Sequence, residues 1–171
     1  MLRLLLLRHA KSSWDNPALD DRDRPLNGRG EKAAPLMGRY MRENGHAPRL
    51  ALCSPAIRAR QTLDLVVPQL DAAPPIHIDD RLYDFGDGTS PLAALRGEGG
   101  TASPILVVGH NPSLETLADA LAGDGARAAL KAMRRKFPTG ALAVIDFDAD
   151  DWADIAPGAG TLVSFTRPKD L

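Results

Sequence analysis

His9 and His110, two of only four histidines in the chain, each follow a short apolar run. The first stretch reads Leu4-Leu5-Leu6-Leu7-Arg8-His9-Ala10, the second Ile105-Leu106-Val107-Val108-Gly109-His110-Asn111-Pro112. A third stretch, Ser54-Pro55-Ala56-Ile57-Arg58-Ala59-Arg60-Gln61-Thr62, adds arginine to a helix start. Two imidazoles with two or more guanidinium groups suit a phosphoryl group. A neutral imidazole attacks phosphorus through one nitrogen while the other is held by a hydrogen bond, and the transfer is split into two steps. The equatorial oxygens of the moving phosphoryl group need fixed positive charge, which Arg8, Arg58 and His110 can supply. Arginine binds phosphate in bidentate fashion and keeps its charge at any working pH.

These residues need strands and helix ends to position them. Short apolar runs closed by Gly or polar residues read as buried parallel strands, and chemistry in open α/β sheets gathers beyond their carboxyl ends. Lys11, Ser12 and Ser13 continue the first run as a polar loop. Ser54 reads as an N-cap with Pro55 at the first helical position, which places Arg58 near a helix N-terminus that favours anions. Gln61 and Thr62 then share the face of Arg58, and Arg60 points elsewhere.

Strand signals fall at Arg3–Arg8, Leu50–Cys53, Ile76–Ile78, Ile105–Val108, Ala141–Phe147 and Gly160–Thr166. Helical signals lie between them, at Asn27–Glu43, Pro55–Leu70, Pro91–Arg96 and Ser113–Ala122. This alternation predicts an α/β domain with a mostly parallel sheet covered on both faces. Only a loop, Asp148–Gly158, separates the last two strands, so an antiparallel pair at an edge is expected there. The helix over Asn27–Glu43 has a good cap in Asn27, but Pro35 requires a later start or a kink. No repeat, linker or low-complexity tract interrupts the chain.

Composition narrows the class. At 171 residues one domain is expected, with roughly two thirds of the unfolded surface buried. Apolar residues make up 44% and charged residues 25%, with a net charge of −1 that gives no reason to expect nucleic acid or an anionic membrane as partner. The single cysteine, Cys53, sits among strand residues as a buried thiol and fits a reducing cytoplasm. Met1–Leu7 is apolar apart from Arg3, but Arg8, His9 and Lys11 cut it short of a membrane span or an export signal. The acidic loop Asp148–Asp154 fits no EF-hand spacing, no Gly-x-x-x-x-Gly-Lys-Ser/Thr loop occurs, and His46 and His77 belong to no metal-ligand cluster.

Leu7-Arg8-His9-Ala10, Ser54-Pro55-x-x-Arg58-Ala59-x-Gln61-Thr62 and Gly109-His110-Asn111-Pro112 occur in the order of the three signature motifs of the histidine phosphatase (phosphoglycerate mutase-like) superfamily. The chain resembles that family from residue 3 to about 145. The short length, the Arg8-His9-Ala10-Lys11-Ser12 start, Asp23-Arg24-Pro25-Leu26-Asn27-x-x-Gly30 and Phe137-Pro138-Thr139-Gly140-Ala141 look like its SixA-type phosphohistidine phosphatase branch. The resemblance implies a three-layer α/β/α sandwich, with His9 as the phosphorylated nucleophile and Arg8, Arg58 and His110 holding the phosphoryl oxygens. It implies no metal or other cofactor. It also implies no inserted lid, and so an open groove suited to a phosphorylated protein side chain, for example on a histidine phosphotransfer domain.

A general acid is the open position. Many superfamily members carry a Glu in a Leu-x-Glu context after a strand; here Leu82-Tyr83-Asp84 offers Asp84, in a glycine-rich stretch that also reads as a turn. A carboxylic acid there would serve an alcohol leaving group, as in a phosphomonoesterase or a mutase acting on a small metabolite. A leaving imidazole, which titrates near ~6.5, needs less help. A phosphate-binding protein without catalysis is a third reading, but no signature residue is missing.

Overall fold

A computed structural model describes residues Met1–Leu171. Its centre is β1 (Leu2–Arg8), in which every residue from Leu4 to Leu7 is fully buried. Each such leucine contributes roughly 1.5–3 kcal/mol by leaving water. On one side β1 pairs in parallel with β4 (Ile105–Gly109), and Arg8 lies opposite Gly109. Beyond β4 come β2 (Leu50–Cys53) and the short edge strand β3 (Ile76–Ile78), both parallel. On its other side β1 pairs antiparallel with β6 (Leu142–Phe147), which pairs antiparallel with β7 (Gly160–Thr166). A parallel strand β5 (Ala122–Gly125) closes that edge, giving the order β3-β2-β4-β1-β6-β7-β5.

Alternation along the strands builds two cores. Leu5, Leu7, Ala51, Cys53, Leu106 and Val108 face α1 (Gly28–Glu43) and α2 (Ile57–Val66), which contribute Ala34, Met37, Met41, Ala59, Leu63 and Val66. Leu4, Leu6, Leu50, Leu52, Ile105 and Val107 face the opposite side. There α3 (Thr89–Glu98), α4 (Ser113–Leu121) and α5 (Arg127–Arg135) supply Leu95, Leu114, Leu117 and Met133. Strands buried on both faces read as unbroken apolar runs. The three-layer α/β/α arrangement with a mostly parallel sheet follows the expectation; β6 and β7 pair antiparallel as expected, but inside the sheet rather than at its edge, because β6 also pairs antiparallel with β1 and β5 covers β7.

Three local expectations differ. The helix α1 begins at Gly28, capped by the Asn27 side chain accepting from Gly30 N–H at 3.0 Å, so Pro35 lies in its interior. The buried stripe Ala34-Met37-Met41 outweighs the hydrogen bond Pro35 removes. Helix α2 begins at Ile57, not Pro55, and Ser54 does not cap it: the N-cap is Ala56, without a side-chain bond. The strand β5 and the helix α5 carried no recognised signal; Ala122-Gly123-Asp124-Gly125 has poor strand propensity and pairs only at an edge.

Candidate active site

Because Arg8 and Gly109 are register partners, His9 and His110 leave neighbouring parallel strands at the same level. The chain runs from β1 past the position of β4 to β2 and later returns, so both residues sit where the strand order reverses. The rings lie 5.1 Å apart between centroids. The His9 backbone is tied on several sides. Its amide donates to Gly109 O at 3.1 Å, its carbonyl accepts from Gly140 N–H at 3.0 Å, and the next amide, Ala10, donates to Thr62 Oγ1 at 2.9 Å. Gly140 needs φ of 76° for that approach, a region that disfavours side chains.

The His9 ring has one nitrogen fixed. Nδ1 stands 2.7 Å from the Ala10 carbonyl, which can only accept, so the proton is on Nδ1 and Nε2 carries the lone pair. The residue is 6% exposed. Burial pushes the imidazole pKa down to about 3 against the favourable Ala10 bond, and the charges of Arg58, Arg8 and Arg24 add to the fall. At neutral pH His9 is an uncharged imidazole with an available nitrogen.

His110 is also neutral. It is 1% exposed, and burial, with the neighbouring His9 and Arg58, lowers its pKa to about 3. Arg58 Nη2 donates to His110 Nδ1 at 3.3 Å, which leaves the proton on Nε2 to donate to Ser54 Oγ at 2.7 Å. Ser54, rather than opening α2, orients His110.

Arg58 is 1% exposed on the first turn of α2. Its Nη1 and Nη2 donate to the Asp21 carbonyl at 2.7 Å and to Asp21 Oδ2 at 3.0 Å, while its buried Nε has no partner. Arg8 donates from Nη1 to Phe137 O at 3.0 Å, and its buried Nε is also unpartnered. Unpaired buried donors are rare, and both of these belong to guanidinium groups that line the depression beside His9. On the same helix Thr62 Oγ1 accepts from Ala10 and Gln61 Oε1 accepts from Leu26 N–H at 2.9 Å, while Arg60 is exposed. The face assignment made from spacing is the observed one.

The surrounding depression, about 260 Å³, is lined by Arg8, His9, Arg58 and His110 together with Lys11, Ser12, Trp14, Asp21, Arg24, Phe85, Asn111 and Thr139. Asp21 was not singled out from sequence, since nothing distinguishes it there from Asp20 and Asp23. It joins the site electrostatically. Partial burial raises its carboxyl, but hydrogen bonds from Tyr83 (2.7 Å), Arg58 and Arg24 outweigh this and hold it at about 2. Arg24 stacks 3.4 Å over the Trp14 ring and donates to Ser12 Oγ at 2.9 Å. Trp14 is 71% and Phe85 47% exposed, forming an aromatic rim.

Asp84 stands apart from this group. Its Oδ2 accepts from Gly86 N–H at 3.1 Å, its carbonyl accepts from Ser113 Oγ at 2.7 Å, and it does not line the depression. His46 and His77 are distant from it too: His46 is buried beside Tyr40, and His77 lies on the exposed strand β3. Burial pushes the Cys53 thiol up to about 12, as befits an inert core residue.

The profile of the histidine phosphatase superfamily (branch 1) matches residues 4–91. An uncharacterized Mycobacterium tuberculosis protein is 40% identical over 165 residues, 95% of this chain and 100% of its own length. The SixA structure of Agrobacterium tumefaciens superposes with a TM-score of 0.80 at 29% identity, covering 98% of both chains. A structure of the protein histidine phosphatase SixA complexed with tungstate superposes with a TM-score of 0.77 at 25% identity, covering 99% of both. The chain belongs to the histidine phosphatase superfamily and is a phosphatase similar along its whole length to the SixA-type members. No helix is long and apolar enough to cross a membrane.

Proposed function

We propose that this chain is a metal-independent phosphohydrolase, acting in the cytoplasm, that removes the phosphoryl group from phosphohistidine on a protein, by way of a phosphohistidine on His9. His9 Nε2 attacks phosphorus, forming an N–P bond as the bond to the substrate nitrogen breaks. The substrate ring, protonated at its other nitrogen, leaves with the bonding pair as a neutral imidazole. Water then attacks the phosphoryl group on His9, releasing phosphate and restoring the neutral ring. The guanidinium groups of Arg8 and Arg58 supply the fixed positive charge for the equatorial oxygens; His110, neutral rather than cationic, joins them by giving its Nε2–H to a phosphoryl oxygen in place of Ser54.

The observation that carries the choice of substrate is the lack of a protonated carboxyl at the depression. Asp21 is held as a carboxylate at about 2, and Asp84 is engaged with Gly86. An alkoxide leaving group needs a proton donor; a leaving imidazole, basic near ~6.5, does not. The exposed Trp14 and Phe85 at the rim suit a macromolecular substrate. The oxyanion tungstate on the SixA relative supports an anion pocket in this family.

The test is phosphate release from a histidine phosphotransfer protein phosphorylated with phosphoramidate, beside a panel of small phosphomonoesters, all with EDTA. Wild type should release phosphate selectively from the protein, and His9→Ala should release none and form no phosphoenzyme. Preference for a small ester, with loss of activity in Asp84→Asn, would replace this reading by a metabolite phosphatase with Asp84 as acid.

A further inference from the structure

A strip of basic surface begins at the rim of the catalytic depression. Thr139, which lines that depression, also lines a second one of about 280 Å³ together with Arg29, Lys136, Arg167 and Lys169. Lys136, Arg167 and Lys169 continue into a third depression of about 410 Å³, joined by Lys131 and Arg135 of α5. Ala128, Lys131, Ala132 and Arg135 are spaced three and four apart, so one face of α5 floors this last depression. The three hollows are therefore contiguous, and neither of the outer two has an acidic side chain in its lining.

Six cations gathered here stand out in a chain whose net charge is −1. Only Arg167 is neutralised, by Asp170 at 2.8 Å. By contrast, Arg134 on the same helix is paired with Asp119, away from the strip. Like charges crowded on a surface raise the energy of the free protein and are relieved by a complementary partner. The floor of alanine and proline side chains has no aromatic group on which a nucleic-acid base could stack.

We infer that the strip formed by Arg29, Lys131, Arg135, Lys136, Arg167 and Lys169 docks an acidic face of the phosphorylated protein, guiding its phosphohistidine over Thr139 to His9. The inference rests on the protein-substrate reading above and adds the charge and position of the partner's contact surface. Recognition is thereby divided: the depression takes the phosphoryl group, and the strip selects the protein that carries it. Surface charge of this kind acts on encounter rate and on KM more than on the chemical step.

The experiment compares wild type with the triple variant Lys131→Glu, Arg135→Glu, Lys169→Glu on two substrates. One is an acidic histidine phosphotransfer protein phosphorylated with phosphoramidate; the other is free phosphohistidine. The expected result is a fall of about tenfold or more in kcat/KM for the protein, carried by KM, with free phosphohistidine turned over at the wild-type rate. Raising salt to about 0.5 M should weaken wild type on the protein toward the level of the variant and change the variant little. The charge-conserving triple Lys131→Arg, Arg135→Lys, Lys169→Arg should behave as wild type. Unchanged kcat/KM of the charge-reversed variant on the protein overturns the docking strip while leaving the protein-phosphatase reading in place. Wild type that hydrolyses free phosphohistidine and spares the protein overturns both.

Discussion

At the scale of single residues, the catalytic proposal reduces to the position of one proton. The Ala10 carbonyl fixes it on Nδ1 of His9, and burial keeps the ring neutral. Nitrogen-15 NMR of the free protein should show His9 with Nδ1 protonated and Nε2 bare from pH 8 down to pH 5. A titration midpoint near the ordinary value of ~6.5 would overturn that assignment. If Arg58 holds the phosphoryl group as proposed, Arg58→Ala, which removes a buried charge from the depression, should lower kcat/KM by the equivalent of roughly 2–4 kcal/mol. An unchanged value would place the phosphoryl group elsewhere. His9, His110, Arg8 and Arg58 were legible in the sequence because strand ends and a helix start bring them together through regular geometry. Asp21 was not, because it sits in an irregular loop whose path depends on Arg24, Arg58 and Tyr83.

Elements place these residues through a few close contacts. Helix α1 presses the loop after β1 into position, with Asn27 N–H donating to Lys11 O at 3.0 Å. Gly30 on the first turn of α1 lies so near Lys11 that a Cβ there would collide with the Lys11 carbonyl. Gly30→Ala should therefore cost about 1–3 kcal/mol in urea unfolding, and should also depress activity, since Lys11 stands two residues from His9. Asn27→Ala, which removes only the cap, should cost about 1 kcal/mol and leave kcat near wild type. Equal activity losses in the two variants would show that the contact does not set the loop. The strands of the inner sheet were readable because burial on both faces gives unbroken apolar runs. The edge at β5 was not: Ala122–Gly125 is glycine-rich and is held by its pairing with β7, whereas α5 is made of good helix formers with Ala129, Leu130 and Met133 turned to the core.

For the molecule as a whole, two imidazoles kept neutral by burial tie stability to pH. Their native pKa of about 3 lies below the unfolded value of 6.5, so between those limits the unfolded chain binds protons that the native state refuses. Stability is then full above pH 6.5 and falls as pH drops, by roughly 2 kcal/mol for each imidazole at pH 5. His46, also depressed by burial, acts in the same sense. Asp21 acts over a separate range, its contribution being lost only below its ordinary value of 3.8 toward about 2. Urea unfolding at pH 7.5 and pH 5 should show the loss; a flat profile would mean that the native histidines take up protons freely.

The central place of β1 has a consequence for how the protein is made. Leu5 is clasped between Leu106 of β4 and Val144 of β6, both far along the chain. The segment that ends in His9 leaves the ribosome well before β4 and β6, its two neighbours in the sheet. Contacts so remote in sequence form slowly, and the nascent apolar stretch Leu4–Leu7 must wait uncovered or be sheltered by a chaperone. His9 is thus translated long before the strands that fix its position, and it is held in place only once they have paired.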